Sequence, residues 1–223
     1  MAKVPVAGTV KTRLAPFLSS EKCAELAAAF LLDAESKAKS VCENTILAYS
    51  PADQTDVLGD ILRFENILIE QTGATLGERM SNAFEFAFAA KSDAVVMIGT
   101  DSPTFSADFI ELAFEYLENK ADVVLGKSAD GGFYLIGLQR KNYPELFENV
   151  VWSSPSVFAQ TVANAAQLNL RLKEISAWYD VDTPDDLLIL RDEILGDKPA
   201  QKSAPATYQW FRRNLFIFAN RII

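Results

Sequence analysis

Asp101 stands in "IGTDSPTF", at the tip of an apolar run, and Ser102-Pro103 turn the chain just after it. A carboxylate placed there can hold a divalent ion that bridges phosphate oxygens; the alternative is an Asp that caps the turn into the next helix. Asp182, in "WYDVDTPDDL", offers a second ligand, because Thr183 can cap the following helix and so frees it. Asp180 is the weaker of the two, and Asp185 and Asp186 favour the helix N-terminus. At the start of the chain come Gly8, Lys11, Thr12 and Arg13. Two cations one residue apart beside a glycine can neutralise a diphosphate or triphosphate, although a basic N-terminus is common in itself. Gly77 and Arg79, in "LGERM", open a helix whose amides and guanidinium can meet an anion; the plainer reading is a helix start with a surface charge. Asp130, Gly131 and Gly132 read as a hairpin turn, or as backbone that comes close to a ligand.

The 223 residues include no histidine. That excludes Ser-His and Cys-His triads and His-ligated zinc. A metal must then be held by oxygen, which favours Mg²⁺ or Mn²⁺, and the general base is either a carboxylate or absent. Cys23 and Cys42 lie in helix-like sequence and read as reduced residues of a cytoplasmic protein. The net charge is −9, yet 198–223 holds five basic residues and no acid, so the acidic excess lies in the body. An acidic body argues against nucleic acid as a partner.

These side chains need rigid elements behind them. Apolar runs at 44–50, 65–71, 93–99, 122–127, 133–138 and 170–175 read as strands; the run at 93–99 is expected to be a buried parallel strand. Helical spacing marks 20–42, 76–90, 108–119, 154–169 and 183–195, with Ser20 and Thr183 as N-caps and Pro184 at the first helical position. Strands alternating with helices give an α/β domain with a mainly parallel sheet over 1–195. The stretch 196–206 reads as a linker by composition. In 207–223, Phe211, Leu215, Phe218 and Ile222 share one helical face, with Arg212, Arg213 and Arg221 largely off it. Such a basic amphipathic tail can touch an anionic membrane surface, pair with another subunit, or fold back onto the body.

"AKVPVAGTVKTRLAPFL", "LGERM", "IGTDSPTF", "ADGGFYLIGL", "VVWSSPSVFAQT" and "DVDTPDDL" occur in that order. Together they resemble the glycosyltransferase-A-like or CofC-like transferases (rSAM/selenodomain-associated transferase 1) of the nucleotide-diphospho-sugar transferase superfamily, over roughly residues 2–190. The resemblance implies a Rossmann-like GT-A fold that binds a nucleotide or nucleotide sugar with a divalent metal. It implies Asp101 and Asp182 as the acids at the metal, Gly8, Lys11 and Arg13 as the N-terminal loop, and Asp130, Gly131 and Gly132 as a turn near the sugar or acceptor. Two departures stand out: Ser153-Ser154-Pro155 replace a Thr-containing turn, and the first hydrophobic strand before the basic loop is missing. The expectation is therefore a native chain longer by about 6–10 residues, a typical strand length.

Two reactions compete. A nucleotide sugar can donate its sugar to an acceptor hydroxyl of a small molecule or lipid, with Asp130 as base and the metal on the leaving diphosphate. Alternatively, a nucleoside triphosphate can transfer its nucleotidyl group to a substrate phosphate and release pyrophosphate, with Lys11 and Arg13 on the triphosphate. A third reading is a truncated, non-catalytic protein that binds nucleotides or partners. Glycosyl transfer leads.

Overall fold

The computed structural model describes residues 1–15 and 17–219. Among the described residues, seven strands are divided between two sheets. The first is parallel, in the order β1 (Ala2–Lys3), β2 (Ile46–Ser50), β3 (Ile67–Glu70), with β1 at one edge. The second is mixed, in the order β4 (Ala94–Ile98), β6 (Phe133–Gln139), β5 (Val123–Ser128), β7 (Leu172–Trp178). β6 runs antiparallel to both β4 and β5, while β7 lies parallel to β5.

β5 and β6 are apolar along most of their length because both faces are covered. Val123, Leu125, Ile136 and Leu138 pack with Met80, Phe84 and Phe158, from α3 (Leu76–Ala89) and α5 (Val157–Gln167). Their neighbours Val124 and Leu135 face the other way, onto Ile110, Ala113 and Leu117 of α4 (Asp108–Glu118). That alternation is the period-two signature of a strand. The run at 93–99 departs from expectation. It pairs antiparallel with β6, and all five residues of β4 are only half-buried. Its apolar sequence suits a strand covered on all sides, but among the described residues no strand lies on its other edge. There the Met1 ammonium donates to Ile98 O at 2.7 Å, the link between the two sheets. Burial pushes that amine down to about 6.

Helix starts follow local chemistry. α1 (Ser20–Val41) is capped by Ser19, one residue earlier than the composition suggests, through Lys22 N–H. α2 is short (Thr55–Ile61). α6 (Pro184–Gly196) begins with a capping box: Thr183 Oγ1 accepts from Asp186 N–H, and Asp186 accepts from Thr183 N–H at 2.7 Å.

The stretch read as a linker holds α7 (Lys198–Ser203), and α8 (Pro205–Asn214) and α9 (Phe216–Ala219) continue the chain. α8 lies back along α1, and α7 packs on α6 and α8. Trp210, Phe211 and Phe218 join Leu26, Phe30 and the α6 residues Leu187 and Leu190 in one core. Leu215 remains exposed, and Arg221 and Ile222 lie outside the described residues. Buried charge fixes the arrangement. Asp33 accepts from Ala206 N–H, Thr207 N–H and Thr207 Oγ1, and the Lys37 ammonium donates to Pro103 O and Ser203 O.

Candidate functional site

The ends of β1, β4, β5 and β7 open on one side of the molecule, and each delivers part of the site. After β1 the chain turns at Gly8, whose φ of 80° few other residues adopt, and Thr9 N–H closes the turn on Val6 O. Lys11 follows in the left-handed region (φ 49°) and heads a single 3₁₀ turn, Thr12–Leu14, anchored by the buried Leu14. Thr12 stays on the surface.

This geometry sends the Lys11 side chain inward, where only 7% of it is exposed. Its ammonium passes over the Phe30 ring, 5.4 Å from the centroid, and meets three oxygens. Asp101 Oδ1 lies at 2.5 Å, Val181 O at 2.8 Å and Asp182 Oδ1 at 3.2 Å. The ammonium donates to Val181 O and Asp182 Oδ1, and its contact with Asp101 is an ion pair. Asp101 reaches the position from the tip of β4 and Asp182 from the end of β7. Val181 N–H donates to Asp101 O at 2.9 Å and ties the two strand ends together. Arg13 lies at the rim, 75% exposed, 4.0 Å from Asp182 Oδ2.

A second carboxylate cluster lies next to the first. Asp180 accepts hydrogen bonds from Ser102 Oγ, beyond β4, and Ser128 Oγ, at the end of β5. Burial raises its carboxyl above the usual range; the two hydroxyls oppose this, and the charges of Asp101 and Asp130 add to it. Asp180 therefore joins three strand ends. Sequence reasoning ranked it below Asp182 and passed over Ser102 and Ser128. The available signal was that a hydroxyl residue follows Asp101 directly and another closes β5.

The remaining expected residues are placed as follows. Asp130 is exposed and accepts from Gly132 N–H at 2.8 Å, within the β5–β6 hairpin. Gly131 (φ 93°) lies against Pro155, where a Cβ would come within 2.2 Å of the carbonyl oxygen. Gly77 faces Trp152 and Phe147 closely enough that a Cβ would clash, so its smallness serves helix packing. Arg79 donates to Gly73 O at 3.0 Å, in the loop before α3. Among the described residues, no hydrogen bond or ion pair joins Gly77 or Arg79 to the Lys11 group.

Asp101, Asp182 and the Val181 carbonyl form an oxygen-only donor set converging on one cation position. That chemistry fits Mg²⁺ or Mn²⁺, which take one or two carboxylates and complete their shell with water and phosphate oxygens. Among the described residues, no group of three or more acidic, cysteine or histidine side chains gathers around a metal position. The two carboxylates fit the ion only with that outside help.

No curated protein matches the chain. Among solved structures, the chain resembles a candidate nucleotide-diphospho-sugar transferase from Desulfovibrio desulfuricans G20. Identity is 30%, coverage 97% of this chain and 93% of the other, and the TM-score 0.88. A cytidylyltransferase from Leptospira borgpetersenii serovar Hardjo-bovis matches at 15% identity over 100% of this chain and 95% of its own, with TM-score 0.54. The 4-diphosphocytidyl-2C-methyl-D-erythritol synthase of Anaerococcus prevotii matches at 15% identity over 73% and 85%, with TM-score 0.53. The last two likenesses concern the fold alone, a Rossmann-like α/β fold shared with nucleotide transferases. A family profile, described as an uncharacterized protein conserved in bacteria (DUF2064), matches residues 33–154. The chain belongs to this bacterial DUF2064 family.

Proposed function

We propose that the chain is a transferase that takes a nucleotide sugar as donor and passes the sugar to an acceptor hydroxyl. The observation that carries this reading is the alternating charge at one mouth of the sheet: Lys11 pairs with Asp101 and Asp182, and Asp182 pairs in turn with Arg13. Lys11 and Arg13 are the cations for a diphosphate, and Asp101 and Asp182 hold Mg²⁺ or Mn²⁺. A divalent ion bound there supplies stabilisation of charge on the departing diphosphate. The amides around Gly8 and Thr12 border the same phosphate position, and Gly77 and Arg79 at the start of α3 offer a second anion contact. Asp130 is the candidate base, with Gly131 and Gly132 shaping its turn. The similarity to the Desulfovibrio protein supports this class of donor.

A second reading, nucleotidyl transfer with release of pyrophosphate, is favoured by the two cations in one loop, since a triphosphate carries more charge than a diphosphate. The cytidylyl-transferring fold neighbours lend it support. Product analysis separates the two. With a panel of nucleotide sugars and nucleoside triphosphates and Mn²⁺, the first reading yields a nucleoside diphosphate and the second yields pyrophosphate. Asp101→Ala is expected to lower turnover by about 10²–10³ while the protein stays folded. If no donor raises the melting temperature or turns over, with or without Mn²⁺, both readings fall.

A further inference from the structure

Lys11 is engaged on three sides. It donates to Asp182 Oδ1 and to the Val181 carbonyl, and Asp101 Oδ1 lies against the ammonium at 2.5 Å as an ion pair, so a phosphate must displace at least one of these oxygens to reach it. The same three oxygens are the donors that would face a divalent ion. A divalent cation beside the ammonium would meet direct like-charge repulsion that little water screens, so the two do not share this position. The carboxylates also lack the enclosure of a permanent pair. Asp101 and Asp182 are 49% and 39% exposed, while the Lys11 side chain is 7% exposed. The buried partner is thus held by the two that solvent can reach.

We infer that Lys11 and a divalent cation are alternative occupants of one oxygen cage, and that the ammonium released from the cage is the group that takes the phosphate. The inference rests on the metal-dependent reading above and adds an order to it. Lys11 acts as a built-in counter-ion that keeps Asp101 and Asp182 from repelling each other while the site is empty. When the cage holds a divalent ion, Lys11 moves out to the rim beside Arg13. There the two cations flank the position where phosphate oxygens complete the ion's shell. Metal and phosphate therefore bind with positive coupling, because each removes an obstacle to the other. The left-handed backbone at Lys11 (φ 49°) is consistent with a residue held in place by its ion pairs.

Mn²⁺ binding to the full chain, measured as protein-bound metal by equilibrium dialysis with the same triphosphate concentration on both sides of the membrane, tests this with Mn²⁺ alone and with Mn²⁺ plus inorganic triphosphate. Lys11→Met is expected to bind Mn²⁺ alone at least about tenfold more tightly than the unaltered chain, since no ammonium competes. Triphosphate is expected to tighten Mn²⁺ binding about tenfold in the unaltered chain and far less in Lys11→Met. Equal or weaker Mn²⁺ binding by the variant overturns the inference and leaves the metal reading standing. No Mn²⁺ binding by either chain under either condition overturns both. A measurement on the unaltered chain covers a variant that fails to fold. Amine labelling read by mass spectrometry is expected to find Lys11 slow to react, and faster once Mn²⁺ is added. An unchanged rate refutes the exchange.

Discussion

Lys11 and Lys37 face the same physical problem and solve it differently. Each buries an ammonium, and each lies over a phenylalanine ring, Phe30 for Lys11 and Phe105 for Lys37. Lys37 donates to two main-chain carbonyls, Pro103 O at 2.5 Å and Ser203 O at 3.0 Å, in loops that belong to other elements. Carbonyl oxygens carry no full charge, so burial dominates, and the amine is pushed down to about 8 despite the charge of nearby Asp33. Lys11 has one main-chain partner, Val181 O, but its other two are carboxylates that solvent can reach. A side chain fastened to backbone pins a fold; a side chain held by exposed acids can be exchanged.

The largest break in this comparison is expected at the pin. Asp33→Ala strands Ala206 N–H and Thr207 N–H in the core and should cost about 3–4 kcal/mol, read from the urea midpoint, without altering Mn²⁺ affinity. A change in Mn²⁺ affinity would show that pin and cage are coupled. Next comes the pH dependence of Lys37. The unfolded chain keeps this proton to about 10.5, whereas the folded chain loses it near 8. The unfolded state therefore binds more protons in that window, and stability from this group rises with pH across it, by about 2 kcal/mol. Lys37→Met should remove the rise, which urea unfolding at pH 8 and pH 10 would reveal. Lys11→Met should change stability by no more than about 1 kcal/mol, because its partners are half solvated. The smallest effect is expected at Arg13→Gln: melting should be unchanged within about 0.5 kcal/mol, while triphosphate affinity falls.

What could be read beforehand was local. Thr183, Pro184 and Asp186 announce α6 within four residues, and the same cap explains why the Asp182 carboxylate is free to face Lys11. Asp101 at a strand tip needs only its own neighbours to be noticed. What escaped depends on distance along the chain. Asp180 and Ser128 are 52 residues apart, and Lys11 and Asp182 are 171 apart, so neither contact leaves a mark on either sequence window. The pairing of β4 with β6 is likewise invisible to an apolar run, which states burial but not its neighbour or direction. Composition also misjudged 196–206. Its small and charged residues resemble a spacer, yet Ala200 and Ala204 are buried and the Lys37 ammonium holds Ser203 O. Asp33, Glu35 and Lys37 look like the wet face of α1 but lie in its interior contacts.

The division of the sheet has a mechanical meaning. Between β1 and β4 the strands are joined by the hydrogen bond from Met1 to Ile98, so the two sheets transmit little force through their backbones. Coupling falls to α1, which touches the first sheet through Leu31 and grips the loop beyond β4 through Lys37. The Lys11 cage spans the same seam, with its ammonium from one side and its acids from the other. Slow local openings of the molecule should therefore begin at this seam and separate the charges of the site before any strand of the larger sheet is lost. The seam makes the site itself a gauge of how tightly the two halves are closed.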